Sequence, residues 1–423
     1  MSNRPASVLA YLLITTLTLG VFAIAPQKAY AITCGAGSEI GVSGVCRGFL
    51  TAADASPWTV PNDWGNASNT IEVIGAGGGG GGAGGGAGNE AGGGGGGAYA
   101  KVQNLSFTPG VSTVVFQVVG TSTGGTGGGN GTTGSDTFFN GSGTTCADSS
   151  PSVCAKGGTG GGGTASPTGG AGGQAGSGVG SVKYSGGGGS GDAGTVGGGG
   201  GGAGGLNGFG ATTTNSSTGG NADNEAGGAG GTANNPGSNG AEWSNTGSGG
   251  GAGGGSGAAA AGGFGGQYGG GGGGGDKNNG VGGDGAPGLI VITYVPIAAP
   301  TVVTDFASNV GATGATLNGG KTGGSAADQH GFAYSTDSTL STSVTTTTLG
   351  ALSSNTSFRS VIGFLTADQT YFFRAYATNT AGVGYGVTRS FITGNTTVTR
   401  KMRLFEGFTL KLLNGKVLVH QAQ

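Results

Sequence analysis

Most of the 111 glycines of this chain lie between residues 75 and 288. Glycine loses more backbone entropy on folding than any other residue and brings no side chain to a core. A run such as GAGGGGGGAGGG is therefore expected to stay unfolded unless something else packs it. Two features of the sequence oppose disorder. The block is fenced by β-branched runs, NTIEVIG before it and GLIVITYV after it. It is also interrupted by AYAKVQNLSFTP, VSTVVFQVVG, SDTFFNG and SVKYSGG, which read as strands. A disordered linker has no reason to carry such strands, whereas a folded domain with glycine insertions does. Packing without side chains is available in principle. Extended polyglycine forms polyproline II-like helices that approach closely because no Cβ keeps them apart, and their amides bond from chain to chain. Asn, Asp and Ser in NNPGSNG and GGNADNEAGG then fall at turns. Collagen is excluded, since no strict triplet is kept and the chain has only 11 prolines. The sequence predicts a strand-framed domain over 70–295, with a hairpin at the Thr108–Pro109–Gly110 turn.

The first residues read as an export signal. Arg4 gives a positive start, VLAYLLITTLTLGVFAIA an apolar core, and Ala29–Tyr30–Ala31 a cleavage site. The expectation is a signal peptide over 1–31, no membrane span in the mature chain, and a secreted or cell-surface location. Export makes disulfides the natural state of the four cysteines, which form two local pairs, Cys34 with Cys46 and Cys146 with Cys154. Their spacing is not that of a zinc site, and the two histidines, His330 and His420, lie far apart. Residues 32–69 form a disulfide-bracketed lead-in containing Trp58 and Trp64. These indoles read first as the cap of a core, and second, with Trp243 and Tyr268, as rings on which a glycan stacks.

The runs WTVPNDWGNASNTIEVIGAGGGGGG, GGAYAKVQNLSFTPG, DTFFNG, AKGGTGGGG, KYSGGGG and GAPGLIVITY resemble the glycine-rich domain of bacterial surface proteins and phage tail-fibre adhesins. The resemblance covers about 58–295. It implies a sandwich of polyglycine helices that displays recognition loops. A signal peptide departs from the phage pattern and points to a cellular surface protein.

After the Pro/Ala segment VPIAAP the composition shifts to Thr, Ser and Ala in short strands with turn signals, the pattern of a β-sandwich over 296–393. Within it LTADQTYFFRAYATNTAGVG resembles the F-strand region of fibronectin type III domains. That resemblance implies a tyrosine corner at Tyr371, preceded by Leu365 and followed by a turn at Asn379 and Gly382. The strand B tryptophan of many such domains is absent, where TLNGG stands, and no RGD loop is present. The segment 394–423 ends in a basic hairpin around Asn414-Gly415. It sets Leu410, Leu412, Val417 and Val419 on one face and Lys411 and Lys416 on the other, and reads either as a cover docked on the preceding sandwich or as an anchor to an envelope partner. The MRLFEGF stretch is similar to endings that recur in surface proteins of small uncultivated bacteria.

Little in the chain suggests chemistry. Net charge is −2 with few charged residues, which leaves no footprint for nucleic acid. GxGxxG matches are without value in this composition, and no βαβ unit follows them. GGGGGD at 271–276 fits the start of a calcium-binding RTX repeat, but Asn278 stands where that repeat is apolar and no nine-residue period follows. No catalytic pair, cofactor or metal is expected. The fold class expected is all-β, with polyglycine II helices, a fibronectin type III-like sandwich and a C-terminal hairpin. The function expected is a non-catalytic surface or extracellular protein with a structural or adhesive role, its partner a cell-envelope polymer, a glycan or a surface protein. The alternative is a carbohydrate-binding accessory module of a secreted system. Oligomeric state is not written in the sequence.

Overall fold

The computed structural model describes residues 34, 38–40, 44–86, 88–148, 150–192, 196–213, 218–223, 228–232, 234–241, 243, 250–256, 261–395, 408–413 and 416–421. Among these the chain is all-β, its one helical element a 3-10 turn at Ala175–Ser177. The signal segment 1–31 lies outside the described residues.

The strands of the first half are β1 (Ser38–Ile40), β2 (Cys46–Leu50), β3 (Trp58–Thr59), β4 (Asn69–Ile74), β5 (Tyr99–Gln103), β6 (Thr113–Val114), β7 (Phe116–Gln117), β8 (Thr137–Phe139), β9 (Val153–Ala155), β10 (Val182–Tyr184) and β11 (Leu289–Tyr294). Six of them form an antiparallel sheet in the order β1-β2-β11-β4-β5-β10. The two runs that fence the glycine block are therefore neighbours, paired from Leu289↔Ile74 to Tyr294↔Asn69. Cys46–Leu50 supplies a strand of this sheet, so the disulfide-bracketed lead-in is built into the glycine-rich unit and does not stand before it. The central strands are apolar on both faces because both faces are covered. One side holds Ile71, Val73, Ile290, Ile292, Trp64, Phe116 and Phe139. The other holds Ile74, Leu289, Val291, Tyr99 and Trp243.

The hairpin expected at Thr108–Gly110 does not form. A turn is present, with Val111 N–H donating to Thr108 O at 3.2 Å and Gly110 at φ +69°. The strands around it pair elsewhere, β5 with β4 and β10, β6 with β3, and β7 with β8. Local turn chemistry was overridden by the burial available on the larger sheet and around Trp58.

Beyond β4 the backbone itself becomes the core. Along 75–83 successive amides turn to three neighbours in rotation. Gly75, Gly78 and Gly81 donate to Ala98, Gly95 and Gly92; Ala76, Gly79 and Gly82 to Ser135, Thr132 and Gly129; Gly77, Gly80 and Ala83 to Ala286, Gly283 and Gly280. These N···O distances run from 2.8 to 3.1 Å. The carbonyls of the same run accept from Gly158 and Gly161, from Gly272 and Gly275, and from Gly125. A direction that repeats every three residues is that of a polyproline II-type helix. Three donor and three acceptor neighbours make the packing hexagonal. The run 91–98 is surrounded in the same way, by 269–275, 156–162, 187–190, 75–81, 198–204 and 170–173. Runs leaving the sheet (75–83, 122–126, 156–163, 185–190, 209–213, 228–231, 250–256, 269–276) alternate with runs returning to it. Each buried amide thus finds the partner that burial demands.

The second half contains β12 (Thr301–Thr304), β13 (Ala315–Gly323), β14 (Gln329–Ser335), β15 (Thr345–Thr346), β16 (Ser357–Ile362), β17 (Thr370–Asn379), β18 (Gly382–Tyr385) and β19 (Arg389–Ile392). Its two sheets are β12-β13-β16 and β15-β14-β17-β18, with β19 also on β17. β17 alternates buried and half-buried residues along its length, the mark of one face turned inward. Leu317, Phe332, Ile362, Leu365, Phe373 and Phe391 fill the space between the sheets. The connecting segment is tied at both ends, by Ile297 N–H to Asp63 O (2.7 Å) and Asn379 Nδ2 to Ala298 O (2.9 Å). Farther on, β20 (Phe408–Leu413) and β21 (Lys416–Gln421) pair as a hairpin, with Leu410 opposite Val419 and Leu412 opposite Val417.

Candidate functional site: the loop-bearing pole of the glycine lattice

Among the described residues, the turns that reverse glycine runs leaving the sheet fall at one end. They include 84–90, 126–129, 163–168 and 276–280. Tight reversal needs left-handed backbone, and Gly86 (φ +108°), Asn278 (φ +70°) and Asn279 (φ +64°) supply it. Adjacent turns are bonded into one surface. Asn279 N–H donates to Gly84 O at 3.1 Å, Thr164 N–H to Gly128 O at 3.2 Å, and Gly163 N–H to Asn130 Oδ1 at 2.8 Å. Apart from Glu90, Asp276 and Lys277, the described residues of these turns are amides, hydroxyls and small side chains, with no aromatic ring among them. Beneath them Glu90, Ser256 and Asp276 are buried.

At the opposite pole a polar cluster fastens the lattice to the sheet. Glu72 of β4 is buried, and its two oxygens accept from the Tyr99 hydroxyl and from Trp243 Nε1 (3.2 Å). Arg47 of β2 donates to the Trp243 carbonyl at 2.8 Å. Burial raises the Glu72 pKa, opposed by the Tyr99 hydrogen bond, the Lys101 charge, the Trp243 hydrogen bond and the Arg47 charge. Burial and the Glu72 carboxylate push the Tyr99 hydroxyl far above its usual range, so it remains a donor. The cluster pins Trp243 against the sheet, with Arg47 Nε buried and without a hydrogen-bond partner. The sequence held one signal for it, a single acid inside the otherwise apolar NTIEVIG.

The rings proposed for glycan stacking are differently placed. Trp64 is fully buried, 5.0 Å from the Tyr294 ring and 6.0 Å from Phe107. Trp243 is buried in the cluster above. Neither has a free face, because in a unit so poor in side chains the indoles are its main apolar volume. Trp58 and Tyr268 are half-buried, Trp58 edge-on to Trp64 at 5.7 Å.

Both cysteine pairs are bonded, Cys34–Cys46 and Cys146–Cys154. Asp136 lies close to the second pair, but it accepts from Lys156 Nζ (2.7 Å), Cys146 N–H (2.9 Å) and Gly157 N–H (3.1 Å), and the sulfurs are joined to each other. This is a pin between strands. His330 is buried, with Nδ1 2.7 Å from Gly350 O and its ring edge-on to Phe358. The Tyr371 hydroxyl accepts from Thr366 N–H at 3.0 Å, and its ring stacks on Phe391 at 5.8 Å. For the terminal hairpin the register sets Leu410, Leu412, Val417 and Val419 at opposed positions; Lys411 faces Leu418, and Lys416 faces Leu413. No helix among the described residues is long and apolar enough to cross a membrane.

No known protein family matches the chain, and no characterised protein matches it in sequence. Three solved structures of the sensor domain of the anti-sigma factor RsgI4 from Pseudobacteroides cellulosolvens are similar to part of it. A longer form is 16% identical over 25% of this chain and 99% of that one, with a TM-score of 0.21. A shorter form is 17% identical over 23% and 97%, with a TM-score of 0.18. A solution structure is 16% identical over 25% and 92%, also at 0.18. Likenesses this slight carry no argument about fold or function.

Proposed function

We propose that this chain is a non-catalytic, exported surface or extracellular protein that presents polar loops on a glycine scaffold in an adhesive or structural role. The observation that carries this reading is the separation of the two poles. The sheet, the disulfides and the connection to the second half gather at one end, and the turns that end the outgoing runs gather at the other. A lattice held by backbone hydrogen bonds asks little of the residues in its turns, so those turns are free to carry recognition. The paired cysteines fit an oxidising compartment.

The resemblances extend the reading. The lattice corresponds to the glycine-rich domain of surface proteins and tail-fibre adhesins, and the two-sheet unit to a fibronectin type III-like domain with Tyr371 as its tyrosine corner. The basic terminal hairpin, with Lys411 and Lys416, would hold the protein to an anionic envelope polymer. The test is to replace turns 84–90 and 126–130, singly, with short Gly-Asn turns and measure binding to envelopes of producing cells. The lattice should remain folded by hydrogen exchange while binding falls. Binding equal to that of the unaltered protein in both variants would overturn the reading.

A further inference from the structure

We propose that Glu90 and Asp276, at the loop-bearing pole, hold a hard divalent cation, with calcium as the first candidate. Glu90 is 2% exposed and Asp276 1%. The runs 91–98 and 269–276 are antiparallel and bonded, Gly94 N–H to Gly272 O at 2.9 Å and Ala91 N–H to Gly275 O at 3.1 Å. Glu90 and Asp276 each stand one residue beyond the last of these bonds, at the same end. The run 198–204 closes a triangle with them, through Gly198 N–H to Ala91 O (2.8 Å) and Gly274 N–H to Gly198 O (2.7 Å). Ser256, fully buried, reaches this place and donates its hydroxyl to Gly274 O at 2.8 Å. A Cβ added at Gly197 would lie 2.6 Å from Gly274 O, Gly275 O and Ser256 Oγ, so these three oxygens gather around one point beside the run ends.

The buried carboxylates are incompletely satisfied. Asp276 Oδ1 accepts from Lys277 N–H at 2.8 Å, but Asp276 Oδ2 and Glu90 Oε2 are buried without a partner. The only ion pair among the described residues is Lys156–Asp136, so neither acid, nor Lys277 beside Asp276, has an opposite charge within ion-pair distance. A buried carboxylate without counter-charge or hydrogen bonds is costly, and coordination of a cation removes that cost. Two carboxylates and a hydroxyl are an all-oxygen set, which suits calcium or magnesium and not zinc or copper. The site differs from an RTX roll, since its ligands come from separate runs. A bound cation would lock turn 84–90 to turn 276–280, already joined by Asn279 N–H to Gly84 O.

The experiment uses the full chain, stripped of metal and titrated with calcium chloride and, separately, magnesium chloride. Calorimetry should give about one ion per chain, and the ion should raise Tm by mass action on the folded state. Hydrogen exchange of the unaltered protein should slow at 84–92 and 274–280 and stay unchanged in β12–β19. Glu90→Gln and Asp276→Asn should each weaken binding at least about tenfold, as loss of one charged oxygen ligand does. The proposal fails if the unaltered protein binds neither ion, if protection appears only elsewhere, or if both folded variants bind as well as it does. Where a variant does not fold, the exchange pattern of the unaltered protein decides.

Discussion

A methyl group added at Gly94 would fall against the carbonyl oxygen of Gly78 in the neighbouring run, inside van der Waals contact. Hydrogen bonds hold the backbone on both sides, so neither run moves aside without breaking several. Gly94→Ala should therefore destabilise the fold by at least about 1–3 kcal/mol, the usual cost of overpacking. Gly176→Ala, where an added Cβ meets nothing within 4 Å, should be close to neutral. Urea denaturation of both variants checks this, and equal midpoints would count against a packed lattice. Glu72 gives a second prediction. Its folded pKa lies above the ordinary value of 4.5 because burial outweighs its partners. The folded state then holds the proton more tightly than the unfolded chain. The stability this contributes is complete below 4.5 and is lost as pH rises through the folded value. The stability of the unaltered protein relative to Glu72→Gln should thus rise as pH falls from 7 toward 4.5, and denaturation curves at each pH measure it. A pH-independent difference would show that Glu72 is not buried as described. Neither residue was singled out by reading the sequence. One glycine among many gives no local sign of which neighbour it faces, and a lone acid in a strand shows its burial only once Trp243 is placed over it.

Strands and cross-links were far more readable. The fencing runs NTIEVIG and GLIVITY became β4 and β11 because continuous β-branched residues bounded by glycine suit a strand covered on both faces. The turn at Thr108–Gly110 misled, since a turn signal fixes local direction and says nothing of which strands its ends will pair with. VSTVVFQVVG likewise reads as one strand, but it splits into β6 and β7, which join different sheets. The local cysteine pairing was readable from spacing together with the export signal, and Cα–Cα distances of 5.5 Å in both pairs suit the bond. Replacing both members of either pair with Ser should cost about 2–3 kcal/mol by the loop-entropy account, read as a lower Tm. A larger loss at Cys146–Cys154 would show that the bond also holds the connection between β8 and β9 against β9. In the second half, Tyr371→Phe leaves the Thr366 N–H without its acceptor. It should lower the stability of residues 300–393 expressed alone by about 1 kcal/mol, the net worth of one such bond. An unchanged melting point would mean that the hydroxyl does not secure the turn before β17.

The molecule as a whole places unlike kinds of core side by side, and their cooperativity should differ accordingly. Between the sheets of the second half, side chains interdigitate, and loss of one leaves a local cavity. In the lattice each run is at once donor and acceptor to runs distant in sequence: 91–98 bonds to 75–81, 156–162, 187–190, 198–204 and 269–275. Removing it would orphan amides in every one of those runs, and buried unpaired amides are what folded backbones avoid. Composition could show that such a lattice was affordable only if the block is folded, and the fencing strands gave the reason to think so. The neighbour of each run could not be read, because identical glycines carry no register, and order comes from the strands and turns that fix where each run begins and ends. Limited proteolysis of the full chain should therefore nick turns such as 126–129 and 163–168 first and leave a resistant core from about residue 44 to 295 held together by the lattice. Deletion of 91–98, by contrast, should abolish resistance across that whole core, including β4 and β11, while residues 300–393 stay protected. Mass spectrometry of the fragments reads both outcomes. Protection of 75–83 surviving that deletion would mean the runs fold one by one, and a hexagonally bonded core would have to be given up.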